Sequence, residues 1–240
     1  MVSFAPETIF KIGGLPITNT LLNTLFVDLV LIGGVVYVSK NLRFVPKGAI
    51  QNAVESIIES FYKLLESVAE SRAPKIFPYF MSFFLFILFA NWSGLIPGVG
   101  TIGFREHGEL IPLFRNATSD LNVTLGLALV SVVATHMLSI KTIGIKDYLS
   151  RYFSLNPINL FVGALEIISE ITKLISLSFR LFGNIFAGEV VLLTVSSIFA
   201  FLVPLPFLLL EVIVGLVQAL VFSMLTMVFM AILTTPHNEH

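Results

Sequence analysis

The chain has 240 residues, 56% of them hydrophobic and 12% charged, about half the charged fraction of a soluble domain, which is about 25%. Its 14 Lys and Arg against 15 Asp and Glu leave a net charge of −1, too few ionisable groups to clothe a soluble surface and no basic excess with which to grip nucleic acid. With no cysteine, disulfides, thiolate metal sites and thiol catalysis are excluded, and a mean hydropathy of +0.94 makes the bilayer the fitting solvent.

Residues 1–20 hold Glu7, Lys11, Gly13, Gly14, Pro6 and Pro16 and lack the basic-then-apolar order of a cleavable signal peptide, so the first apolar helix is expected to act as the targeting signal. That helix is predicted over 21–38, about 27 Å long at about 1.5 Å per residue and close to the hydrocarbon thickness of about 30 Å. Its one charge, Asp28, faces either another helix or a water-filled path. Over 47–72 the pattern becomes amphipathic: Ile50, Val54, Ile57, Ile58, Phe61, Leu64, Leu65 and Val68 oppose Glu55, Glu59, Lys63, Glu66 and Glu70. A helix lying on the membrane surface or bridging into the next span, with its charged face solvated, is expected there. A second span is predicted over 78–95, closing at Trp92 in the interfacial belt and ended by Gly94, Pro97, Gly98 and Gly100. Arg105, Glu106, His107, Glu109, Pro112 and Arg115 then mark a polar loop. A third span is predicted over 121–140, with Asp120 and Asn122 as capping types at its start. His136 lies near its far end, where an interfacial position is favoured over a ligand role.

Lys40, Arg43, Lys47, Lys63, Arg72 and Lys75 lie between the first two spans, and Lys141, Lys146 and Arg151 follow the third. The positive-inside rule puts both regions in the cytoplasm, the N-terminus and the 101–119 loop outside, and the C-terminus inside.

From 157 to 199 no internal proline interrupts the apolar run, and Asn156-Pro157 is a cap followed by a first turn. A helix of that length reaches about 65 Å, twice what an upright crossing requires. The run 204–235 reaches about 48 Å. Two such neighbours predict a slanted helical hairpin; the competing parse makes 157–175 an interfacial helix and starts the span near Ser176. The fold class is therefore an all-α integral membrane protein, with about five membrane helices plus an amphipathic one, the last two long and tilted, in a single membrane domain over 1–240.

At about 100° per residue, Glu166, Glu170, Lys173, Arg180, Asn184, Gly188 and Val191 share one narrow stripe. Glu166, Glu170 and Lys173 stand at spacings that allow mutual neutralisation, whereas Arg180 has no acid at such a distance on its own helix. Arginine cannot shed its proton to escape burial. Small residues Gly183, Ala187 and Gly188 follow it and admit another helix. Glu189 lies half a turn away, while Glu211 and Gln218 share a face of the last helix with Gly215 and Phe222; the hairpin is expected to bring Glu189, Glu211 and Gln218 together. Intramembrane polar groups of this kind mark ion pathways.

The run from Ser176 to Glu189, SLSFRLFGNIFAGE, closely resembles the signature of the subunit a family of rotary F-type ATP synthases. Ile17-Thr18-Asn19-Thr20, the stretch from Ala117 to Thr124, and Gln218-Ala219-Leu220-Val221-Phe222 add to it. The resemblance implies a stator channel beside a rotating c-ring, held with the peripheral-stalk b subunits in a bacterial plasma membrane or a thylakoid and carrying protons or sodium ions. It implies that Arg180 is the essential cation facing the ring carboxylate, that Asn184 and Gln218 are polar groups near that contact, and that Glu189 and Glu211 line an aqueous half-channel. Where other members carry a histidine at one of these last two positions, both are Glu here. No glycine-rich phosphate loop and no metal-ligand cluster is present in the sequence, so no cofactor is expected and ATP chemistry is expected in partner subunits. A self-contained transporter with Arg180 binding an anion, and a purely structural scaffold, are the competing classes; neither a repeat nor a proline break near Arg180 favours the first.

Overall fold

The structure is a computed structural model and describes residues 6–42, 48–96, 102–106, 109–152, 157–198 and 202–235. Arg43, Lys47, Pro97, Gly98, Gly100, His107, Asn156, Phe199 and Pro236, and the side chains of Arg105, Glu106 and Glu109, lie outside what it describes.

A hairpin of β1 (Thr8–Ile12) and β2 (Leu15–Thr18) opens the chain. It turns at Gly13 and Gly14, whose φ angles of 57° and 90° are readily open to glycine. Thr18 then caps helix α1 (Asn19–Asn41) by accepting a hydrogen bond from the Leu21 amide. A second hairpin, β3 (Gly103–Glu106) with β4 (Glu109–Pro112), occupies the predicted polar loop. Neither hairpin was signalled by alternating hydrophobicity.

Helix α2 (Ala49–Ala69) is the amphipathic helix, and a 3₁₀ turn over Glu70–Arg72 leads directly into α3 (Ala73–Ser93). Glu70 has φ of 47°, the one described non-glycine residue in the left-handed region, and its amide closes α2 on the Glu66 carbonyl. The C-terminal half of α2 packs inward through Phe61, Leu65 and Ala69, with Leu65 and Ala69 buried and the Phe61 ring 5.5 and 4.8 Å from the Phe80 and Phe84 rings, while Ile50, Ile57, Ile58, Leu64 and Val68 stay exposed. Helix α3 begins at Ala73 rather than Pro78, because Pro74 supplies the first-turn proline and Pro78 sits inside the helix.

Asp120 caps α4 (Leu121–Ile143) by accepting from the Asn122 amide at 2.9 Å. Gly144, with φ of 85°, ends α4 and admits the short α5 (Ile145–Tyr152), which the sequence pattern did not separate from its flanks. Helix α6 (Pro157–Ile198) is a continuous helix of 42 residues, with no break near Ser176, and α7 (Pro204–Leu233) has 30. At about 1.5 Å per residue α6 is about 63 Å long, so it slants in, or projects beyond, a layer about 30 Å thick.

Among the described residues, five helical segments are long and apolar enough to cross a membrane, with α2 and α3 forming one continuous segment. Helices α3 and α7 form the centre of the bundle. Ile76, Phe80, Met227 and Met230 fill one end of their interface with Leu138 of α4, and Phe83, Ile87, Ala219 and Phe222 fill the other with Leu177 and Leu181 of α6. Only 11% of the most apolar stretch of α6 is buried. An apolar helix so open to its surroundings faces lipid or another polypeptide.

Candidate functional site

Helices α6 and α7 meet through polar groups. Asn184 Nδ2 donates to Gln218 Oε1 at 2.9 Å. One helical turn further along α6, a Cβ built on Gly188 would stand 2.9 Å from Glu211 Oε1, so glycine here makes room for the Glu211 carboxylate. Of the three residues expected to come within reach of one another, Gln218 contacts Asn184 and Glu211 sits against Gly188, and no hydrogen bond joins Glu189, Glu211 and Gln218 to each other among the described residues. Glu211 and Gln218 are buried, and Glu189 Oε2, Glu211 Oε2 and Gln218 Nε2 are buried atoms with no hydrogen-bond partner among the described residues.

Arg180 stands one turn before Asn184, and its side chain is exposed. Among the described residues it has neither an ion pair nor a hydrogen bond. It occupies an open lane on α6 with Ser176, Gly183, Asn184 and Ala187, all exposed, and no atom lies within 4 Å of a Cβ built on Gly183. The buried side of α6 is formed instead by Leu177, Ser178, Leu181 and Ile185. A helix face of small residues and one unpaired cation is shaped for close approach by another helix carrying an acid.

An open groove of about 320 Å³ runs along α6 from Ser169 and Lys173 to Arg180, walled by Leu225 and Phe229 of α7. Lys173 is tethered at its mouth: Nζ lies 3.0 Å from Glu170 Oε1 and 4.6 Å from the Phe229 ring centroid. The three charges Glu166, Glu170 and Lys173 do not neutralise one another as a closed set. Glu166 lies 3.8 Å from Arg151 Nε of α5, a pairing between helices that spacing along one helix cannot reveal. His136 joins the cluster from α4, with Nε2 3.7 Å from Glu170 Oε2 and Nδ1 3.0 Å from the Tyr148 hydroxyl of α5. Burial first, and then the neighbouring Tyr148, Glu166 and Glu170, hold the Tyr152 phenol well above its ordinary range, so it stays protonated. Arg151 also donates to the Thr235 carbonyl at 3.2 Å, and Arg72 to the Thr235 hydroxyl at 2.7 Å, placing two cations at the C-terminal end of α7.

At the opposite end of the bundle lies a polar knot that sequence reasoning missed. Thr20 donates to Asp120 Oδ2 at 3.1 Å and Asn23 to Ser93 at 2.8 Å, joining α1 to α4 and α3. Asn91 accepts from the Thr118 hydroxyl at 2.7 Å and donates to the Gly215 carbonyl at 2.9 Å. Beside it, Trp92, whose ring is exposed, donates its indole N–H to the Val212 carbonyl at 3.1 Å. The two donors grip α7 between Glu211 and Gln218. An asparagine inside an apolar span was the available signal, obscured by its position just before Trp92 and Gly94. Asp28 is half-buried on α1 and has no ion pair or hydrogen bond among the described residues.

The family model of the ATP synthase A chain matches residues 21–231. Among curated relatives, ATP synthase subunit a of Moorella thermoacetica is 33% identical over 231 residues, covering 96% of this chain and 97% of its own. ATP synthase subunit a of Syntrophobacter fumaroxidans is 35% identical, covering 94% and 88%, and ATP synthase subunit a 2 of Pelobacter propionicus is 34% identical, covering 94% and 90%. The matches take in the unpaired arginine, the polar row beside it and all five apolar segments together, and the chain belongs to the ATP synthase A chain family, a membrane-sector subunit of the ATP synthase.

Proposed function

We propose that this chain is the stator ion channel of a rotary ATP synthase, in which two offset half-channels carry protons or sodium ions to and from the carboxylates of a c-ring. What supports this most is Arg180, a cation without a counter-charge among the described residues, on an exposed face of a membrane helix. A ring carboxylate passing it is favoured as the anion, because an opposite charge nearby stabilises the ionised form. It sheds its ion there, reloads from the other half-channel, and only when neutral turns into lipid, since a charged carboxylate meets a large desolvation cost. The guanidinium also bars direct ion leakage between the half-channels.

The groove from Lys173 to Arg180 fits one half-channel, and the row of Glu189, Glu211, Gln218 and Asn184 fits the other. The basic loops favour a cytoplasmic placement for the Lys173 end, in a bacterial plasma membrane or a thylakoid, with the N-terminus outside and the C-terminus inside. ATP synthesis then resides in partner subunits, and the peripheral-stalk b subunits hold this chain against the ring's rotation. Arg180→Ala in the reconstituted complex tests the reading: ion-driven ATP synthesis is expected to be lost with assembly intact, and retained synthesis in a normally assembled complex contradicts it.

A further inference from the structure

His136 belongs to none of the groups assigned above, yet Glu170 alone separates it from Lys173, which lines the groove that ends at Arg180. Its Nε2 is 3.7 Å from Glu170 Oε2, and Glu170 Oε1 is 3.0 Å from Lys173, which lines the groove. The facing groups are Tyr148 from α5, Glu170 and Lys173 from α6 and, next to them, Tyr152 and the Arg151–Glu166 pair. Phe229 of α7 lies beneath Lys173.

Each neighbour leaves the imidazole as the group suited to exchange a proton. Glu170 and Lys173 neutralise each other, Glu166 is matched by Arg151, and Tyr152 stays a phenol. Imidazole is the side chain suited to proton exchange around neutral pH. Its surroundings here serve both charge states. When the ring is neutral, with its hydrogen on Nε2 toward Glu170, the Tyr148 hydroxyl donates to Nδ1; when the ring is protonated, the same hydroxyl turns and accepts from Nδ1–H. Both states keep the hydrogen bond between Nδ1 and Tyr148, and Glu170 stands 3.7 Å from Nε2, beyond hydrogen-bond reach but close enough to pair with the protonated ring. From Glu170 to Arg180 the rise along α6 is about 15 Å, about half the hydrocarbon thickness of about 30 Å.

We propose that His136 is a proton-relay residue at the Lys173 end of the groove, passing protons between bulk water and the water-filled path to Arg180; this rests on the half-channel reading above and takes the proton as the carried ion. On uptake, an O–H bond of hydronium breaks as the imidazole N–H bond forms. On release, that N–H bond breaks as a groove water takes the proton, and the ring returns to neutral. The proton finishes on the ring carboxylate as its new O–H bond.

Inverted membrane vesicles holding the whole complex test this, because ATP-driven pumping then draws protons from the medium through this mouth. His136→Gln is expected to lower the pumping rate about five-fold in weakly buffered medium and to recover to within about two-fold of wild type as an impermeant zwitterionic buffer is raised, since a mobile carrier replaces the fixed one. Wild type is expected to be indifferent to that buffer. A His136→Gln rate equal to wild type in weak buffer, or a loss that buffer does not restore, overturns the relay. Tyr148→Phe, which keeps the imidazole and removes its adaptable partner, is expected to show a smaller loss restored by the same buffer; an unrestored loss counts against the relay even if His136→Gln fails to assemble. Arg180→Ala run alongside separates the two ideas. Pumping by that variant defeats the half-channel reading, whereas its silence beside a wild-type-like His136→Gln removes only the relay.

Discussion

A guanidinium at the bilayer centre costs about 3 kcal/mol on insertion scales, and a carboxylate about 4 Å away at an effective dielectric of about 20 offsets about 4 kcal/mol. Arg180 has no such partner among the described residues of its own chain, so the proposed function assigns the offsetting charge to a neighbour that docks on α6. Arg180→Lys keeps the charge but loses the planar fork and gains the option of deprotonating. We expect it to assemble and to lose ion-driven synthesis by about 100-fold, a barrier change of about 2.7 kcal/mol, measured as ATP formed under an imposed ion gradient. Glu211 makes a different prediction, because its carboxyl is buried against Gly188 with Oε2 unpartnered among the described residues. Glu211→Gln removes a buried acid that lacks a partner, so thermal stability is expected to hold or rise while ion conduction falls by about ten-fold or more. Parallel loss of stability and conduction would mean that the carboxylate serves packing instead.

At the scale of elements, two glycines fix how closely the helices approach, and they differ in what they face. A Cβ on Gly188 meets the end of the flexible Glu211 side chain at 2.9 Å, whereas one on Gly215 meets the Asn91 Cβ at 3.1 Å, close to the backbone of α3. Gly188→Ala is therefore expected to leave the melting temperature of the assembled subunit nearly unchanged and to slow conduction. Gly215→Ala forces α3 and α7 apart and is expected to destabilise by about 1–3 kcal/mol, seen in thermal unfolding of the membrane sector. Long apolar runs, the Asp120 cap and the Pro157 start were legible because each follows from local sequence. The inward packing of α2, the pairing of Arg151 with Glu166 and the grip of Asn91 and Trp92 on α7 were not, because each depends on which helices become neighbours. Arg180 stood out in the sequence for the opposite reason: its defining property is the missing partner, which could be sought along one helix alone.

Across the whole molecule, polar contacts among the described residues tie the two ends, the α6–α7 seam and the faces of α4 toward α6 and α7, while the Arg180 face stays open. The knot of Thr20, Asn91, Thr118 and Asp120 ties one end, and Arg72, Arg151 and Thr235 tie the other. Tied to α4 through Thr124 and Ser178 at 3.1 Å and to α5 through Arg151 and Glu166 at 3.8 Å, α6 offers its open lane as a surface past which another body can turn. Because the chain has no cysteine, single cysteines can be placed without background. The most direct measurement is cross-linking in assembled membranes from cysteines at Ser176, Gly183 and Ala187 on the open lane of α6, with Leu29 on the exposed side of α1 as control. Cross-links to the ring polypeptide from the three α6 positions, and none from Leu29, are expected; α6 cysteines that never reach the ring in an active complex would contradict the docking of Arg180 against it.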